Sequence, residues 1–180
     1  MTDTGFGRRS CRRRGMSVQG ILVSVGVVLA ILGASWFAVT LWQRTRALPE
    51  VARIVSRVSA EARRIAADGR SAFTLDLPEV MSALRHENLD MRDGRISLPM
   101  GGAIHWVARD PVPGSRNFSL LAGWERGGAN AAVLCTYLAT AGSEDARGWR
   151  SGPAGTGYRV TRASCDGPGA AYVELVYRPG

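Results

Sequence analysis

The chain has 180 residues and a formal net charge of +8 at pH 7, and all 23 of its basic residues are arginine. With no lysine, a P-loop lysine, a Schiff-base lysine and Ser-Lys chemistry are all excluded. Half of the excess charge lies in residues 1–15, which hold five arginines against Asp3; the other arginines are scattered singly among acids, without the basic stripe of a nucleic-acid binder.

Between Arg14 and Arg44 there is no charged side chain, and the run from Ile21 to Trp42 is almost wholly apolar. A membrane-spanning helix needs about 20 apolar residues to cross about 30 Å of hydrocarbon, so the stretch from Met16 to Gln43 is long enough with turns to spare. The five arginines before it outnumber Arg44 and Arg46 after it, which predicts a cytoplasmic N-terminal arm and an exported remainder. A cleaved secretory signal has an apolar region of only about 7–15 residues. The run is therefore expected to stay in the mature protein. No cysteine follows it, which excludes a lipoprotein anchor. Cys11 falls in the cytoplasmic arm, where thiols stay reduced, whereas Cys135 and Cys165 fall in the exported part, where disulfides persist.

Within the apolar run, Gly26, Ala30, Ala34 and Ala38 recur at every fourth position. Such a face lets a second helix approach closely, although Gly and Ala are also common in any spanning helix. Past the run the pattern turns amphipathic. Val51, Val55, Val58, Ala62 and Ile65 follow spacings of one helix face, with Arg53, Arg57, Glu61, Arg63 and Arg64 expected on the solvent side. Pro49 predicts a kink, and Asp68-Gly69 a stop. Residues 16–43 are thus the transmembrane helix and 44–72 its amphipathic continuation and linker.

Residues 73–180 form the exported domain. Asp76 is placed to cap a short helix over Leu77–Leu84, with Pro78 in its first turn. Asp93-Gly94 marks a turn, and residues 103–108 and 117–122 alternate as strands on either side of a loop over 109–116. Residues 128–141 predict a second short helix bearing Cys135, and Gly148–Gly157 a glycine-rich loop leading into Tyr158-Arg159-Val160. A closing strand spans 171–177. One long helix followed by antiparallel strands with a short helix among them is an α+β domain.

Chemistry is sparse. His86 and His105 belong to no metal-binding or nucleophilic motif, and the Gly101-Gly102 and Gly127-Gly128 pairs lack phosphate-loop spacing. Neither an active site nor a cofactor is expected, and the chain is not read as an enzyme.

The combination of an arginine-rich arm ending in Gly15, Met16 as the next residue, and an apolar helix that turns amphipathic resembles a type IV prepilin. Met at the first mature position is similar to the type IVb class. The segment 117–141 resembles the type IVb strand, turn and helix bearing the first disulfide cysteine, and Cys165 before the terminal strand resembles the second. The resemblance implies a leader of residues 1–15 removed between Gly15 and Met16 by a prepilin peptidase, and a Cys135–Cys165 disulfide. It also implies a long helix packed on an antiparallel sheet head, and a homo-oligomeric filament assembled by pilus machinery. The subunit would start in the inner membrane and end at the cell surface. One position departs from the pattern: Gly20 stands where pilins usually carry glutamate at the fifth mature position, which points to a minor, tip or thin-pilus subunit. The alternative class is a permanently anchored envelope accessory protein whose outer domain binds a partner.

Overall fold

The computed structural model describes residues 18–67, 75–109, 117–126, 128–167 and 169–178. The first element, α1, runs from Val18 to Ala67 and continues through Pro49 without a break in the helical assignment. The missing N–H of a proline removes one rung of the ladder, and here the rungs on either side carry the helix on. The predicted stop at Asp68-Gly69 lies outside the described residues. By compactness the chain divides between Trp42 and Gln43.

The first unit consists, among the described residues, of α1 from Val18 to Trp42. Every large apolar side chain in it is exposed, from Val18 at 74% to Trp42 at 55%. Its best 18-residue window has a mean hydropathy of 2.3, so the helix is long and apolar enough to cross a membrane. The hydroxyls of Ser24 and Thr40 donate to the carbonyls of Gly20 at 2.8 Å and Phe37 at 2.9 Å. Folding these two donors back onto the helix satisfies their protons without water.

The second unit begins at Gln43 and contains the rest of α1. There the expected stripe is buried: Val51, Val55, Val58 and Ala62 are fully inaccessible and Ile65 nearly so, joined by Ala47 and Ile54. Each buried Val or Ile contributes about 1.5–3 kcal/mol relative to exposure. Arg53, Arg57 and Arg64 are exposed as expected. Arg53 and Arg64 pair with Glu50 and Glu61 along the helix, while Arg57 reaches Glu87 at 2.8 Å. Arg63 departs from the expectation. It is half-buried, with its guanidinium 5.4 Å from the centre of the Tyr177 ring and hydrogen-bonded to Oγ1 and the carbonyl of Thr156.

Helix α2 spans Leu77–Ala83, with Asp76 accepting from the Glu79 N–H at 2.9 Å as the sequence predicts, and a turn of 3-10 helix follows over Leu84–His86. Strands β1 (Met91–Arg92) and β2 (Arg95–Leu98) form a hairpin around Asp93-Gly94, both in the left-handed region with φ of 51° and 69°. Asp and Gly tolerate that conformation, which is why this dipeptide turns a hairpin. Next come β3 (Gly102–Arg109), β4 (Phe118–Trp124), α3 (Ala129–Thr140), β5 (Ser143–Glu144), β6 (Arg150–Gly152), β7 (Gly155–Ser164) and β8 (Ala171–Tyr177).

The glycine-rich stretch 148–157 is not a plain loop. It holds β6, a tight turn through Pro153 and Ala154, and the start of β7. Gly155, at φ 102°, makes that turn possible, and its glycine content masked the strands on either side.

All eight strands join one antiparallel sheet in the order β1-β2-β3-β4-β8-β7-β6-β5. Neighbours in register share a face, so Val107, Leu120, Leu175 and Val160 form one row, and Phe118, Tyr177 and Tyr158 another. These rows meet the second half of α1, α2 and α3 in a single apolar cluster. Phe118 and Tyr177 stack with ring centroids 5.0 Å apart.

Candidate functional site

The processing pair Gly15 and Met16 lies outside the described residues, as does Cys11. Gly20 is described and opens the helix with no carboxylate near it in sequence. Gly26, Ala30, Ala34 and Ala38 are all exposed on α1. At 3.6 residues per turn each four-residue step drifts by about 40°, so these positions form a slanting row of the kind that interlocks with a second helix. Nothing lies within 4 Å of where a side chain on Gly26 would begin. The row is exposed, and among the described residues nothing meets it at Gly26.

Cys135 and Cys165 are bonded, with an S–S distance of 2.09 Å and Cα atoms 5.5 Å apart. Cys135 is inaccessible in the middle of α3, beside the buried Leu134 and Leu138, and Cys165 follows β7 directly. The bond therefore ties α3 to the end of the longest strand in the sheet.

Sequence reading missed a polar clamp where α1 meets the turn between β6 and β7. The Ala154 carbonyl accepts from the Tyr177 hydroxyl at 2.9 Å and the Ser59 hydroxyl at 3.3 Å, both buried. Arg63 completes the clamp through Thr156. Tyr158 donates to the Ala141 carbonyl at 3.0 Å, reaching the end of α3. Complete burial pushes the Tyr177 phenol well above its ordinary pKa, with the Ser59 hydrogen bond acting the other way. Burial raises Tyr158 as well, and lowers Arg63. These groups hold hydrogen bonds with their protons on. The signal available in sequence was the alternation of β8, which puts Tyr177 on the same face as Val173 and Leu175.

At the opposite end of β6, in the loop from β5, Asp145 accepts from the N–H groups of Trp149 and Arg147, both at 2.9 Å. These bonds, the Trp149 one foremost, hold its carboxyl below the usual range. The Trp149 indole carries the guanidinium groups of Arg159 and Arg178 at 5.3 and 5.7 Å. His86 ends the 3-10 turn and is exposed, whereas His105 lies at a bulge in β3, so the two share no element. Among the described residues no group of three or more His, Cys, Asp or Glu side chains could hold a metal ion.

The largest exposed apolar surface among the described residues is the first half of α1. No protein-family model matches the chain, and no curated protein or solved structure is similar to it.

Proposed function

We propose that the chain is a structural subunit, a type IVb pilin or minor pilin, that polymerises through its apolar N-terminal helix. The carrying observation is the division of α1. Residues 18–42 expose an unbroken apolar surface, while residues 47–65 of the same helix are buried in an α+β unit with its own core and disulfide. An anchor needs only the first property. A subunit that leaves the membrane must bury that surface again, because water penalises it by about 25 cal/mol per Å². Copies of the same helix, meeting at the Gly26/Ala30/Ala34/Ala38 row, supply the covering. On this reading a prepilin peptidase removes residues 1–15 and pilus machinery moves the subunit from the inner membrane to the surface. Gly20 in place of the usual glutamate favours a minor or tip subunit over a major one. The same glycine is what a permanently anchored accessory protein would tolerate, and that is the second reading.

Ala34→Arg tests the proposal. The variant is expected to vanish from sheared surface filaments while its outer unit keeps the Cys135–Cys165 bond. Ala34→Leu, which keeps the helix apolar but fills the row, is expected to lower incorporation without altering membrane insertion. Wild-type levels of both variants in filaments would remove the helix as the assembly element and leave the accessory reading.

A further inference from the structure

The apolar run is longer than a bilayer is thick, and the position of its aromatic side chains shows how the excess is accommodated. From Val18 to Gln43 α1 rises about 39 Å, against about 30 Å of hydrocarbon. Burying all of it by tilting alone would require about 40°, the extreme of the range of about 0–40° that spanning helices adopt. The alternative is that one end stands in the headgroup layer. The two tryptophans of α1, Trp36 and Trp42, both lie toward the outer end of the apolar run, 75% and 55% exposed, with Phe37 beside them at 67%. Tryptophan prefers the boundary between hydrocarbon and headgroups, where the ring is apolar and its N–H is wet.

We propose that Trp36 marks the outer edge of the hydrocarbon and that residues 38–43 stand in the outer headgroup layer. Twenty residues on from Val18, at about 1.5 Å each, bring the chain to Phe37 at a depth of about 30 Å. Trp42 then lies about 7.5 Å farther out, at the outer limit of the headgroup region. Arg44 and Arg46, the first charges after the run, follow immediately. The occupant of this surface is a lipid bilayer, and the assignment rests on reading α1 as a membrane-spanning helix, not on filament assembly.

Depth-resolved fluorescence quenching tests it with the full-length protein in phosphatidylcholine vesicles. One vesicle set carries bromine near the glycerol end of the acyl chains and another at mid-chain. The emission lost in Trp36→Phe and in Trp42→Phe gives each tryptophan's own signal above the constant background of Trp106, Trp124 and Trp149. Trp36 is expected to be quenched roughly twofold more by the shallow bromines than by the deep ones, and Trp42 weakly by the shallow set alone. Stronger quenching of Trp36 by mid-chain bromine would overturn the assignment and leave a deeply tilted span. Absence of Trp36 quenching by both sets would mean the helix is not in the bilayer, which overturns the spanning reading as well.

Discussion

The two halves of α1 are built from the same kind of residue and differ in what they do with it. From Val18 to Trp42 the apolar side chains run all the way round and all are exposed, whereas from Ala47 to Ile65 they follow one stripe and are buried. A stripe can be satisfied by a sheet of the same chain, because its other side is polar. A helix that is apolar all round cannot, and needs either lipid or several neighbours. Composition alone therefore separates the half buried in the second unit from the half left exposed.

Placing the same charge in each half breaks that comparison most sharply. Val55 is fully buried in the outer unit, and Val55→Arg leaves an unpaired charge in the core. The expected loss exceeds about 4 kcal/mol, and the near-ultraviolet dichroism of the outer unit should collapse. Val28, 54% exposed in the apolar half, is the counterpart. Val28→Arg should leave the unfolding of the outer unit unchanged and weaken membrane insertion by about 2.5–3.5 kcal/mol. Equal effects of the two variants on urea unfolding would dissolve the distinction.

The disulfide belongs to one half only. Its cysteines are 30 residues apart, and the chain-entropy estimate for such a loop is about 3–4 kcal/mol. The double variant Cys135→Ser with Cys165→Ser should lower the stability of the outer unit by about that amount in urea melts. The helicity of residues 18–42 in detergent micelles should not change.

A smaller effect is expected at the polar clamp. Tyr177→Phe removes the hydroxyl that donates to Ala154, at an expected cost of about 0.5–1.5 kcal/mol. It should also change the alkaline limb of stability. The Tyr177 phenol is raised in the folded state, so its contribution is complete below the unfolded value near about pH 10 and is lost as pH rises from there toward the folded pKa. Wild type should lose stability over that window, and Tyr177→Phe should lose less.

Much of this architecture is legible in the residues themselves. The stripe at Val51, Val55, Val58, Ala62 and Ile65 is set by helical spacing, and the cap at Asp76 by a side chain that can reach only its own first turn. Strand β8 begins with the two-residue period of a half-buried strand, whereas β4 is buried on both faces and reads as a short apolar run. What escaped was short or glycine-bearing. Four residues of β2 and three of β6 are too few to display a period. Strand β4 runs on to Trp124, past the reach of alternation, because the indole N–H finds the Pro99 carbonyl at 3.0 Å. Arg63 was assigned to the solvent side by its charge, yet the turn at Gly155 brings Thr156 up to it. That contact links residues 93 apart, and no local pattern announces it. The small-residue row was equally legible, but a row of glycine and alanine does not name what it packs against.

The central claim is that the apolar half of α1 is the assembly element of a processed subunit, and the intact mass of the protein from sheared surface filaments tests it most directly. The proposal predicts a chain beginning at Met16 that has lost residues 1–15 and carries one intact disulfide. Assembled material that retains residues 1–15, or a protein found at full length only in the membrane and never in filaments, would contradict it.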